Sequence, residues 1–250
     1  MLELEGLTKY FGGVRAVDGV NLAVGRGEIL GLIGPNGSGK STIVNLVCGL
    51  LPSTAGRVLL GGRDISELPP HARVSLGIAR TFQNIRLFGQ LSVWQNLWAA
   101  QNSNEQQKEE NFLRRWLGGS RRARGEIDRT LEFFDLAHKR DELAANLAFG
   151  EQRRLEFARA LAANPSLLLL DEPAAGMNAE EIEQLDDRIR TLRQSGITIL
   201  LIEHHMELVM AVTDRVVVLN FGQKIADGSP AEIQANPLVR EAYLGGAKVA

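Results

Sequence analysis

The sequence predicts an α/β fold with a doubly wound sheet, and three observations carry that prediction. Residues 34–42 match the phosphate-binding pattern G-x-x-x-x-G-K-[ST] without a mismatch. The pattern stands between a short apolar segment, residues 28–33, and a mostly apolar helical stretch, residues 42–50, which is the strand–loop–helix setting it requires. Two further apolar runs, residues 167–170 and 197–202, each end in reactive side chains: Asp171 and Glu172 in one case, Glu203, His204 and His205 in the other.

The chemistry follows from the residue types. The glycines among Gly34, Pro35, Asn36, Gly37, Ser38, Gly39, Lys40, Ser41 and Thr42 leave the backbone N–H groups free to wrap a phosphate, and the following helix points its positive end at the same place. Lys40 supplies a point charge for β- and γ-phosphates, and Ser41 a hydroxyl for Mg²⁺. Four leucines fix the strand tip that carries Asp171 and Glu172, so that one acid can help to hold Mg²⁺ while the other orients an attacking water.

The remaining elements are read in order. Leu2, Leu4 and Leu7, then Val17, Val20, Leu22 and Val24, predict a small antiparallel sheet ahead of the loop. Tyr10 and Phe11 precede a glycine pair, where a ring can stack on a base. Residues 57–60 read as a strand, Pro69 and Pro70 open a helix, and residues 77–82 form a further strand whose ligand-facing end carries Gln83. Residues 91–143 change to helical spacing and suggest an inserted helical subdomain. Arg114, Arg115, Arg121, Arg122 and Arg124 lie between its helices and read as a solvated loop. Leu147, Ala148, Phe149, Gly150, Glu151 and Gln152 lead into a helix with an apolar face at Leu155, Ala158, Leu161 and Ala162. A charged helix over residues 180–193, a final strand pair around Gly222 and two short helices opened by Pro230 and Pro237 complete the chain.

Composition narrows the function. The 250 residues are 44% hydrophobic and 23% charged, with a net charge of −2, which argues against a sequence-independent nucleic-acid binder. The first residues lack the basic flank and apolar run of a signal peptide, and no stretch reaches the ~18 apolar residues of a membrane span. The expected location is the cytosol, or a membrane surface reached through a partner. The single cysteine, Cys48, reads as a small core residue.

Taken together, the phosphate loop, the helical insert, L-x-x-G-E-Q, the apolar run with Asp-Glu-Pro and the strand-end His resemble the ATP-binding cassette (ABC) ATPases over almost the whole chain. The resemblance implies a mainly parallel sheet core with an N-terminal antiparallel β subdomain, in residues 1–90 and 164–250, and a helical signature subdomain in residues 91–163. It implies residues 34–42 as Walker A, Phe11 as the adenine-stacking ring, Gln83 as the Q-loop glutamine, Leu147 to Gln152 as the signature acting in trans, Asp171 as the Walker B acid, Glu172 as catalytic base and His204 as switch histidine. ATP and Mg²⁺ are the implied cofactors, with Ser41 and Gln83 on the ion and Asp171 mostly through water. Three positions depart from the family pattern: Ala148 where a Ser is usual, Asn178 for Asp, and His205 for the Asp that often follows the switch histidine.

The finer pattern, G-I-A-R-T-F-Q over residues 77–83, L-I-E-H-H-M over 201–206 and the tail Ala242, Tyr243, Leu244, Gly245, looks like the ATPase of branched-chain amino acid importers. Urea and short-amide importers of the same branch share much of it. The implied partners are integral membrane permease subunits, a second cassette in a head-to-tail dimer and, indirectly, an extracytoplasmic solute-binding protein. The implied location is the cytoplasmic face of the inner membrane. A P-loop phosphotransferase would have no use for residues 147–152. A soluble cassette acting on DNA or ribosomes usually carries two cassettes or a long coiled coil, and neither is found here.

Overall fold

The computed structural model describes residues 1–82, 85–101 and 120–245. They form two compact units: Met1–Arg73 with Leu169–Ala250, and Val74–Leu168. The sequence placed the helical subdomain at residues 91–163; the second unit begins earlier and ends later than that. Gln83, Arg114 and Arg115 lie outside the described residues.

The first unit opens with two long strands, β1 (Leu2–Phe11) and β2 (Val14–Val24), joined at Gly12 and Gly13. They pair antiparallel with Leu2 opposite Val24 and Leu7 opposite Val20, so that one face is apolar and buried. With β4 (Ala55–Leu60) and β5 (Arg63–Asp64) they make a four-stranded antiparallel sheet in the order β2-β1-β4-β5.

The central sheet of this unit follows the order β10-β9-β3-β8-β7. Its members are β3 (Ile29–Ile33), β7 (Leu167–Asp171), β8 (Thr198–Ile202), β9 (Arg215–Asn220) and β10 (Gln223–Gly228). Strands β3, β7 and β8 are buried along their whole length, which is why they read as unbroken apolar runs rather than as alternating ones. β3 runs parallel to both β8 and β9, and the β9–β10 hairpin is antiparallel. The sheet is therefore mainly parallel, as expected.

Helix α1 (Lys40–Val47) leaves the phosphate loop directly. Its C-terminal carbonyls are held by Arg73 from α2 (Pro70–Ser75). Arg73 is 2% exposed, and its guanidinium donates to the carbonyls of Leu46 (2.6 Å), Val47 (2.9 Å), Ser66 (2.7 Å) and Leu68 (2.9 Å). One cation thus binds two carbonyls at the helix end and anchors the element that carries the loop.

In the second unit, β6 (Ile78–Arg80) lies beside the start of β7, where Gly77 accepts from the N–H groups of Ser166 and Leu167. Helices α3 (Val93–Gln101), α4 (Ser120–Phe133) and α5 (Phe149–Ala162) follow. Leu97, Ile127, Leu131 and Leu155 are buried, and Phe134 meets Phe157 at 5.0 Å between ring centroids. Arg124, expected in a loop, lies inside α4, because the apolar spacing of Ile127 and Leu131 extends the helix back past it. The first unit ends with α6 (Ala179–Gln194), α7 (Met206–Val212), α8 (Pro230–Ala235) and α9 (Pro237–Gly245).

Candidate functional site: a phosphate loop and three strand ends

The C-terminal ends of β3, β8 and β7 finish level with one another. Leu32 is in register with Ile202, and the Glu172 N–H donates to the Ile202 carbonyl at 2.8 Å. Side chains just past those ends therefore share one edge of the sheet, where ligands of doubly wound folds bind. This edge carries residues 34–42 after β3, Asp171 and Glu172 at the end of β7, and Glu203, His204 and His205 after β8.

Two glycines of the loop are required by space. A Cβ on Gly34 would stand 2.2 Å from the Leu219 carbonyl oxygen, and one on Gly39 would stand 2.4 Å from that of Ala16. Both also have positive φ, 150° and 105°, so any side chain would be strained as well as crowded. The loop is in this way pressed against its own unit. Lys40, 8% exposed, places its ammonium on the carbonyls of Gly34 (2.7 Å) and Pro35 (3.0 Å) and near the Ser38 hydroxyl (3.4 Å). Burial lowers its pKa from the ordinary lysine value, and the carboxylates of Glu172 and Asp171 oppose that shift. A cation hydrogen-bonded to neutral carbonyl and hydroxyl oxygens suits a phosphate that would take their place.

Asp171 is buried at 4% exposure, and Ser41 is exposed. Among the described residues no group of three or more His, Cys, Asp or Glu could hold a metal ion. The Ser41 hydroxyl and the Asp171 carboxylate are hard oxygen donors of the kind that suits Mg²⁺. Glu172 has φ 49°, a left-handed conformation unusual for a residue with a long side chain, and such strain gathers at functional sites. His204 is exposed, with Nδ1 3.8 Å from Glu203.

Phe11 and Tyr10 differ in their commitments. The Tyr10 hydroxyl reaches Asp18 at 3.2 Å and its ring lies under Arg15, whereas Phe11 is 46% exposed with only the Lys9 ammonium over it at 5.2 Å. In the second unit, residues 147–152 form the entry to α5. Ala148 is its N-cap, with no side-chain acceptor to offer, and the amide of Ala148 donates to Glu151 at 2.9 Å. Burial works against the Glu151 carboxylate, yet the Ala148 amide and the Lys139 ammonium (3.2 Å) hold its pKa below the ordinary value. Gln152 donates to the Leu147 carbonyl at 3.0 Å, and Phe149 and Gly150 open the helix with the Phe149 ring exposed. Asn178 caps α6: its side chain accepts from Glu181 N–H at 3.0 Å while Glu181 accepts from Asn178 N–H at 2.9 Å.

Sequence reasoning gave no role to Glu156 and Arg153. Glu156 accepts from the Phe82 N–H and Arg153 donates to the Phe82 carbonyl, both at 3.2 Å, so the peptide just before Gln83 is gripped from both sides. The available signal was an acid at position 156 inside the apolar face of α5.

A strand–loop–helix phosphate cradle with two acids and a histidine on neighbouring strand ends defines a P-loop nucleotide-hydrolysing domain. Residues 17–175 match the family described as ABC transporter, and residues 223–249 match one described as branched-chain amino acid ATP-binding cassette transporter. The chain is 44% identical over 252 residues to the high-affinity branched-chain amino acid transport ATP-binding protein LivG of Escherichia coli, with 98% of each chain covered. It is 42% identical, with the same coverage, to the protein BraF of like description from Pseudomonas aeruginosa. A solved ATP-binding cassette of an ABC transporter in its ADP conformation superposes with a TM-score of 0.85 at 33% identity, covering 98% of both chains. The chain belongs to the ABC transporter family, as one of its ATP-hydrolysing cassettes.

Proposed function

We propose that this cassette powers an importer of branched-chain or other hydrophobic amino acids, and that it does so with the residues gathered at the β3, β7 and β8 ends. The observation that carries the residue assignment is the level termination of those strands, which sets Lys40, Asp171, Glu172 and His204 on one edge. Lys40 exchanges the carbonyls of Gly34 and Pro35 for phosphate oxygens of ATP, and the loop amides hold the rest. Ser41, Gln83 and Asp171 would hold Mg²⁺, which, bound with ATP, offsets charge on the β- and γ-phosphates. Glu172 accepts a proton from the attacking water and His204 donates to the γ-phosphate, so catalysis is mainly positioning and charge stabilisation. Phe11 stacks on the adenine.

Residues 147–152 serve the ATP of a second cassette, identical or related, in a head-to-tail pair. Residues 1–90 with 164–250 act as the nucleotide-binding core and 91–163 as the signature subdomain. Among the described residues no helix is long and apolar enough to cross a membrane. In this reading, which rests on the family, the cassette works at the cytoplasmic face of the inner membrane through permease subunits, and meets the solute-binding protein only through them. The solute class is supported by the match of residues 223–249 and by the description of the relatives. Proteoliposomes holding the cassette and its co-purifying permease should accumulate leucine, isoleucine or valine as ATP is hydrolysed. Uptake of urea or a short amide instead would assign the other solute class, and failure to recover any multi-span partner would favour a soluble, non-transport ATPase.

A further inference from the structure

Glu203 is a buried acid that none of the assigned steps uses. Its side chain is wholly enclosed, 0% exposed, at the end of β8. One carboxylate oxygen accepts from the Ala174 N–H at 2.8 Å, and the other accepts from the N–H groups of His204 (2.9 Å) and His205 (3.1 Å). Ala174 is two residues beyond Glu172, on a different strand end and 29 residues away in sequence. A purely local role, easing the chain into α7, would need only the His204 and His205 amides. The bond to Ala174 goes further, because it crosses from one strand end to the next.

We propose that Glu203 is a positioning residue for ATP hydrolysis, its single carboxylate registering the backbone that follows Glu172 against the backbone that carries His204. The base and the γ-phosphate ligand sit on separate strand ends, and a small drift between them would spoil the alignment of water and phosphate. Three backbone amides converging on two oxygens of one fixed side chain remove that freedom. This inference rests on the roles given above to Glu172 and His204.

Glu203→Gln is the informative change. A carboxamide keeps the volume but has one oxygen, so its NH₂ group must face either the Ala174 amide or the two histidine amides, and one half of the tie is lost. In the full-length chain, kcat for ATP should fall about tenfold or more, while KM and the affinity for ATP measured without Mg²⁺ stay within about twofold. Combined with Glu172→Gln, the further loss in residual rate should shrink to under about twofold, because the group being positioned is no longer a base. If Glu203→Gln does not give folded protein, Glu203→Asp keeps both oxygens, shortens the reach by one methylene and carries the same comparison. An unchanged kcat overturns the proposal. So does a parallel fall of kcat, ATP affinity and ADP affinity together with melting temperature, which is the mark of a merely structural acid. Normal hydrolysis by Glu172→Gln alone would show separately that the catalytic assignment has failed, and the proposal would fall with it.

Discussion

Phe11 and Tyr10 sit side by side, but only Phe11 has a ring free of side-chain hydrogen bonding at the glycine turn. Phe11→Ala should lose about 1 to 3 kcal/mol of ATP affinity, the order found for a base stacked on an aromatic. Tyr10→Ala should lose much less; equal losses in a fluorescent-nucleotide titration would make Phe11 an ordinary surface ring. Ala148 offers a second test at this scale. Ala148→Ser restores a hydroxyl at the N-cap of α5, where a bond to a charged group contributes on the order of 1.5 to 3 kcal/mol. ATP-dependent dimers should tighten while the monomer's ATP affinity stays the same, and a change in the monomer alone would contradict action in trans. Contiguous residues were the legible ones. The phosphate loop, Asp171 with Glu172, and His204 each follow an apolar run and announce themselves by type. Glu203 also ends an apolar run, but its tie was not legible, because its partners are backbone amides, one of them on another strand end.

At the scale of elements, the buried strands were legible from their apolar runs and the caps from their residue types. Asn178 stands where the family usually has Asp, and its geometry shows that the cap is kept: the amide oxygen accepts from Glu181 N–H. Asn178→Ala should cost about 1 kcal/mol of stability, whereas Asn178→Asp should keep the cap, as urea unfolding would show. Arg73 was not legible, since nothing in the local pattern of α2 says that a surface-type residue turns inward to four carbonyls from two separate segments. Arg73→Lys, with a point charge in place of a planar fork, should destabilise the chain by on the order of 3 kcal/mol. A loss below about 0.5 kcal/mol would mean that water replaces the fork without cost. The extent of α4 was missed for a related reason: the arginines on either side of Trp116 and the Gly118–Gly119 pair read as a loop as far as Arg124, but that residue lies in the helix that carries Ile127 and Leu131.

At the scale of the molecule, the order of elements was legible because each apolar run ends in a side chain that makes sense only at one sheet edge. The limits of the two units were less so, since the second begins at Val74, within α2, where composition does not shift. Glu172 as the base and ATP shared between two cassettes can be tested in one variant. Glu172→Gln keeps shape and hydrogen bonding but removes the basic oxygen, so ATP should bind through Lys40 and the loop and remain unhydrolysed. Because shared nucleotide stabilises the closed pair by mass action, the variant should collect as a dimer in ATP and stay monomeric in ADP. Size-exclusion chromatography in each nucleotide, run beside a phosphate-release assay, is the direct measurement. A dimer in ATP with phosphate release cut to a small residual rate is the expected result; hydrolysis at the normal rate would contradict Glu172 as the base, and a variant that stays monomeric in ATP would contradict a pair of identical chains and point to a different cassette as the partner.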